Sequence, residues 1–236
     1  MAIEQRYMRN VNALSEDECE RLHDARVAVI GCGGLGGYVI ESLARIGVGT
    51  HDGALVVVDG DTFEASNLNR QLFCTEALID TSKACAAAGR VTAINSSVNV
   101  TPVKAFLDEG NAADIIAGCD CVVDCLDGVG SRLVLAHAAS MAGMPLVHGS
   151  IAGWYGQVST IYPGDASFSS LYGSKDLSAR SGIERTLGNL PFTAACIASI
   201  QASQCVHVLL DHEEDVLRNR LLCVDLSCAA FEVLEL

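Results

Sequence analysis

The stretch Ala25-Arg26-Val27-Ala28-Val29-Ile30-Gly31-Cys32-Gly33-Gly34-Leu35-Gly36-Gly37 decides how the rest of the chain is read. An apolar run that stops at a glycine cluster predicts a strand, a tight turn and a helix beginning near Leu35. Gly31, Gly33 and Gly36 fit G-x-G-x-x-G, in which missing side chains permit the turn, the approach of backbone to phosphate, and close helix-on-strand packing. The N–H groups at such a helix start face an anion. Further out, Leu55-Val56-Val57-Val58 is a second apolar strand. It ends at Asp59, about 20 residues beyond the turn, where a carboxylate accepts hydrogen bonds from ribose hydroxyls. These features favour a nucleotide site over a βα turn without a ligand. The glycines alone do not say which nucleotide binds.

With 236 residues and 50% apolar content, the chain buries a full core as one compact unit. Residues 1–24 precede the first core strand as an arm and helix, and 25–236 form a single domain. The balance of 15 basic and 29 acidic residues gives a net charge of −14, which repels polyphosphate backbones and anionic membranes. Neither nucleic acid nor membrane is therefore expected as a partner. The N-terminus carries Glu4, Arg6 and Arg9 and no apolar signal segment, so the eleven cysteines are expected in a reducing cytoplasm. No C-x-x-C occurs; the nearest groupings are Cys119/Cys121/Cys125 and Cys223/Cys228, and no zinc site is expected. Most of these thiols read as small buried hydrophobes. Phe192 to Leu210 is long and uncharged, but it contains Thr193, Ser199, Gln201, Ser203, Gln204 and His207, which argues for a helix against a sheet.

In chain order, Ser15-Glu16-Asp17-Glu18 has capping-box form and predicts a helix to about His23, preceded by the charged arm Arg6-Tyr7-Met8-Arg9. After Asp59 comes a polar loop containing Asp61, Ser66, Asn67, Arg70 and Gln71, leaving a strand end where open α/β sheets place ligands. A helix follows over about Thr81–Ile94, with Lys83 in its first turn, where the helix dipole disfavours a cation. Either an anion lies nearby or an exposed lysine tolerates a small penalty. Val98–Val103 reads as a strand and Ala112–Ala117 as a short helix. Cys121 to Asp127 is a buried strand in which Asp124 is a structural group and Asp127, at its carboxyl end, the functional candidate. A helix over Ser131–Ala142 and strands over Pro145–His148 and Gly156–Tyr162 come next. Pro163 to Leu190 is a Ser/Gly-rich loop, read as functional or mobile. Arg220–Asp225 and Phe231–Leu236 form a closing strand pair.

Taken together, GCGGLGG, VVVDGD, SNLNRQ, Lys83 and DCLDG, in this order over nearly the whole chain, closely resemble the MoeB/ThiF/HesA family, relatives of the ubiquitin-activating enzymes. The resemblance implies an α/β, Rossmann-like mononucleotide-binding domain with a mostly parallel central sheet, to which the C-terminal part adds antiparallel strands. It implies Mg-ATP and adenylation of the C-terminal glycine of a small ubiquitin-like sulfur-carrier protein. Carried over by motif, Gly31, Gly33, Gly34 and Gly36 with Asp59, Asp61, Ser66, Asn67 and Gln71 bind the nucleotide. Arg70 and Lys83 reach the phosphates, and Asp127 holds Mg²⁺. Arg9 of the Arg-Tyr-x-Arg arm is implied to act as a finger in the neighbouring subunit's site, hence a homodimer. The paired C-x-x-C motifs found in many members are missing here, as is a cysteine just before the last long helix. Adenylation without a covalent thioester or persulfide step on this chain is therefore expected. Cys196, within that helix, reads as packed.

Three other functions are compatible with parts of this pattern. An NAD-dependent oxidoreductase accounts for the glycine turn and Asp59 but leaves Arg70, Lys83 and Asp127 without a role. An ATP-dependent tRNA-modifying dehydratase of the same family lacks a basic patch. A non-catalytic nucleotide-binding adaptor would not need the three charged residues. The segment His148–Gln157, with the single tryptophan Trp154, either borders a groove for the carrier's tail or serves packing.

Overall fold

The computed structural model describes residues 4–165, 171–172 and 184–236. Its frame is one sheet of eight strands: β1 (Arg26–Ile30), β2 (Ala54–Val58), β3 (Val100–Val103), β4 (Cys121–Asp124), β5 (Leu146–Ala152), β6 (Tyr155–Ile161), β7 (Arg220–Asp225) and β8 (Ala230–Glu235). They lie in the order β3-β2-β1-β4-β5-β6-β7-β8. The first five run parallel and the last three antiparallel, the mixture expected from the sequence. The helices are α1 (Glu16–Asp24), α2 (Gly36–Ile46), α3 (Lys83–Ile94), α4 (Ala112–Ile116), α5 (Val129–Met141), α6 (Glu184–Leu187) and α7 (Pro191–Leu209).

Alternation along β1 sets the two layers. Val27 and Val29 face a core shared with Val39, Ile40 and Leu43 of α2, Val91 of α3 and Ile197 of α7. Ala28 and Ile30 face the opposite core, with Ile116 of α4 and Leu135 of α5. Central parallel strands covered on both faces must be apolar throughout, which is why β2 is buried at every position. Each fully buried Val, Leu or Ile contributes about 1.5–3 kcal/mol by leaving water.

The capping box forms as read: the Ser15 hydroxyl accepts from the Glu18 N–H at 3.3 Å, while the Glu18 carboxylate accepts from the Ser15 N–H at 2.7 Å. The arm ahead of it is anchored. Tyr7 is buried, its hydroxyl accepts from Asn95 Nδ2 at 2.6 Å, and its ring lies 4.8 Å from that of His23. β5 extends past His148 to Ala152 because it turns directly into β6 as a hairpin. Among the described residues α7 is the one helix long and apolar enough to cross a membrane, and it packs instead on β4, β5, β6 and α2. Buried Gln201 on it donates to the Asp124 carbonyl at 2.8 Å. Most of the Ser/Gly-rich segment 163–190 lies outside the described residues; α6 is at its described end.

Candidate functional site

The turn after β1 closes on itself. Gly31 adopts φ +99° and donates to the Val58 carbonyl at 2.8 Å, and a Cβ on it would sit 2.6 Å from the Cys125 oxygen. At Gly36 a Cβ would lie 1.7 Å from the Gly31 oxygen, so neither position accepts a side chain. Leu35, at the N-cap of α2, supplies no capping side chain, which leaves the helix start to offer backbone N–H groups. Asp59 braces the turn: one carboxylate oxygen accepts from the Cys32 N–H and the other from the Asp61 N–H, each at 2.8 Å. Burial pushes its carboxyl above the usual range, against the pull of those two N–H groups and of Lys83.

Lys83 is buried, not exposed. Its Nζ lies 3.1 Å from Asp61 Oδ2, so an anionic neighbour offsets its place at the start of α3. Arg70 is half-buried on the cleft wall, with Nη1 donating to the Ser66 carbonyl at 3.2 Å and to Asn69 Oδ1 at 2.8 Å. Gln71 is buried, and its Oε1 has no hydrogen-bond partner among the described residues. Asn67 and Ser66 turn away. The Asn67 amide oxygen accepts from the Glu64 N–H at 3.1 Å, the Ser66 hydroxyl donates to Glu64 at 3.3 Å, and neither residue lines the cleft. Both brace the loop that presents Arg70.

Asp127 is exposed just beyond β4, immediately before α5. Behind it is a buried network that the sequence reading did not find. Arg132 donates to the Leu126 carbonyl and, at 2.8 Å, to the Tyr172 hydroxyl, and its Nε lies 4.0 Å from Asp124 Oδ2. His148 Nδ1 lies 2.7 Å from the same Asp124 oxygen, and its Nε2 is 3.0 Å from the Tyr172 hydroxyl. Asp124 is thus the structural carboxylate expected. The available signal was a lone arginine on an apolar helix five residues after Asp127.

One cleft of about 1110 Å³ collects these parts. Gly31, Gly33, Gly34, Asp59, Asp61, Arg70, Gln71, Lys83 and Asp127 line it, with Ile30, Val58 and Phe106 as apolar wall. Its far side is the β5–β6 hairpin, through Ser150, Ala152, Tyr155 and Gly156. Trp154 at the hairpin tip is exposed, and its ring lies 4.9 Å from that of Phe192, tilted by 42°. Arg9 is exposed and is not part of this lining. Cys125 and Cys223 are the cysteines that line the cleft; burial pushes the Cys125 thiol well above its ordinary value and that of Cys223 upward, as it does for Cys196 outside the cleft.

Residues 7–236 match the model of a family described as the ThiF family. The chain is 39% identical over 218 residues to the SAMP-activating enzyme E1 of Haloferax volcanii, covering 90% of this chain and 77% of that protein. It is 34% identical over 199 residues to molybdopterin-synthase adenylyltransferase of Escherichia coli, covering 82% of this chain and 76% of that one. Among solved structures, E. coli MccB with ATP superposes with a TM-score of 0.83 at 17% identity, over 99% of this chain and 72% of the other. That last likeness carries the fold.

Proposed function

The chain belongs to the ThiF family, and from that premise we propose that it uses ATP to activate the C-terminal glycine carboxylate of a small ubiquitin-like sulfur-carrier protein as an acyl-adenylate, releasing pyrophosphate. The observation that carries this reading is the meeting of the glycine turn, Arg70, Lys83 and Asp127 in one cleft. A nicotinamide site has no need of the last three.

A carboxylate and a triphosphate repel each other, so the site works by positioning and charge compensation. The N–H groups at the start of α2 bind phosphate oxygens, and Asp59 accepts from the ribose. The carrier's tail enters beside Ala152 and Gly156, where the small side chains suit a Gly-Gly terminus. One oxygen of its carboxylate attacks the α-phosphorus. A P–O bond forms there as the bond to the bridging oxygen breaks, and pyrophosphate leaves with that electron pair. Arg70 and Lys83 stabilise the charge that gathers on the leaving group, and no protein nucleophile takes part. Asp127 is an exposed oxygen donor at the cleft, of the hard type that suits Mg²⁺, and would hold the ion. When bound, Mg²⁺ neutralises triphosphate charge. Arg9 lies outside its own cleft and is assigned to the cleft of a second copy in a homodimer.

ATP–pyrophosphate exchange with each Gly-Gly-tailed carrier of the same genome tests the reading. Carrier-dependent exchange is expected, falling on the order of 10²-fold or more in Arg70→Ala, Lys83→Ala and Asp127→Ala. Tight NADH binding with no response to Mg-ATP would overturn it.

A further inference from the structure

Away from the cleft, the C-terminal end of α7 brings together His207, His212 and Asp215. The two imidazole Nδ1 atoms face each other at 3.3 Å, with the ring planes inclined at 53°. That separation is long for a direct hydrogen bond, whose usual length is nearer 2.9–3.0 Å. It matches the edge of a zinc tetrahedron: two nitrogens each ~2.0–2.1 Å from one ion lie roughly 3.3–3.4 Å apart. One carboxylate oxygen of Asp215 lies within 4.8 Å of both ligand atoms, and the Asp215 backbone is pinned by its N–H to the His212 carbonyl at 3.0 Å.

A second observation points the same way. His212 Nε2 lies 2.9 Å from Glu18 Oε1 on α1. The other Glu18 oxygen accepts from the Ser15 hydroxyl at 2.6 Å and the Ser15 N–H at 2.7 Å, which fixes the carboxylate in place. With Nε2 turned to that carboxylate, Nδ1 is the His212 ring nitrogen that faces His207. A carboxylate behind a metal-ligating imidazole is the arrangement that orients such ligands and raises their basicity. His207 lies in the last turn of α7, whose carbonyl end favours a cation, and His212 and Asp215 follow the helix in the acidic segment Asp211-His212-Glu213-Glu214-Asp215.

We infer that His207, His212 and Asp215 bind one Zn²⁺ ion, with water as fourth ligand and Glu18 as the carboxylate behind His212. None of the four lines the nucleotide cleft. The ion fastens α1, the end of α7 and the loop into β7, and it does so without cysteine. This is a different ligand set from the C-x-x-C pairs missing from the chain.

The test uses the tag-free full chain, stripped with a chelator and titrated with Zn²⁺ and, separately, Co²⁺. One equivalent is expected to bind, with the visible bands of tetrahedral Co²⁺ and no thiolate-to-cobalt charge-transfer band. His207→Ala and His212→Ala should abolish it, and Glu18→Gln should weaken it about 10–100-fold. In case a variant folds poorly, the histidine ¹⁵N spectrum of the unaltered chain gives a second readout: zinc should shift the Nδ1 resonances of two histidines and leave their Nε2 protonated. A charge-transfer band, unchanged affinity in folded His207→Ala, or no histidine shift would each overturn the assignment.

Discussion

His148 Nδ1 and Asp124 Oδ2 lie 2.7 Å apart with both side chains fully out of solvent, at the centre of the sheet directly behind the cleft. Burial alone would raise the Asp124 carboxyl, but the charge of Arg132, the His148 bond and the Leu126 N–H together hold it below the usual range. Burial lowers His148, only partly opposed by Asp124. Both shifts act in one direction. A depressed histidine contributes stability that is present above its unfolded pKa of about 6.5 and lost as pH falls through the folded value; a depressed aspartate does the same below about 3.9. Stability should therefore decline on acidification from about pH 6.5 downward. His148→Gln should lower stability at pH 7.5 by about 1–3 kcal/mol, the usual cost of leaving a buried hydrogen-bonding group short of its partner. It should also flatten the difference between pH 7.5 and 5.5. Urea unfolding at the two pH values measures both, and an unaltered pH slope in the variant would count against this account.

Gly36→Ala is predicted to damage the fold and the site at once. The new methyl would meet the Gly31 oxygen at 1.7 Å, and backbone cannot swing aside as a side-chain tip can. The turn must open, drawing the start of α2 away from the phosphates. Overpacking of this kind costs about 1–3 kcal/mol, or more where backbone must move. Thermal unfolding and fluorescence-monitored ATP binding should fall together. Gly89→Ala, on α3 with open space around its Cβ position, provides the control that leaves ATP binding unchanged.

The residues that local pattern governs were legible before the structure. The parallel βα units, the Ser15 capping box, the anionic partner of Lys83 as one of two readings, and Asp124 as a structural group all follow from periodicity, capping chemistry and the helix dipole. What local pattern misses is set by long-range contact. Arg132 looks like any arginine on a helix until β5 brings His148 and the segment after Pro163 brings Tyr172 against it. Asn67 and Ser66 lie in a motif that reads as ligand-facing, yet a turn at Ala65–Asn67 directs both side chains to Glu64. Tyr7 lies in a polar terminus, and only the fold supplies the pocket formed with His23 and Asn95.

Arg132 is predicted to act as a positioning residue. Its guanidinium ties the Leu126 carbonyl, one residue before Asp127, to Tyr172 and Asp124, and a lysine cannot span three partners with one ammonium. Arg132→Lys should keep the fold but let the Asp127 loop drift. A misplacement of about 1 Å at such a group costs on the order of 10²-fold in rate. The loss should appear in kcat for pyrophosphate exchange and in the Mg²⁺ concentration needed for half-maximal activity, while KM for ATP holds. A purely structural role would lower the amount of folded protein and leave the Mg²⁺ dependence of the remainder unchanged.

Arg9 supplies the sharpest test of the proposed assembly, because it is exposed, lies outside its own cleft and is proposed to serve the cleft of another copy. By analogy with phosphoryl-transfer sites, where an arginine supplied in trans is worth about 10³-fold or more, Arg9→Ala homodimers should be nearly inactive. Asp127→Ala homodimers should be inactive as well. In a dimer of one Arg9→Ala and one Asp127→Ala subunit, one cleft has both defects, and the other keeps its own Asp127 and receives Arg9 from the partner. Random pairing of equal amounts puts half of the chains in such dimers, so roughly a quarter of the full activity should return. Recovery is read as carrier-dependent pyrophosphate exchange after subunit mixing, with heterodimers verified by native mass spectrometry. If verified heterodimers stay as inactive as either parent, Arg9 does not act across the interface.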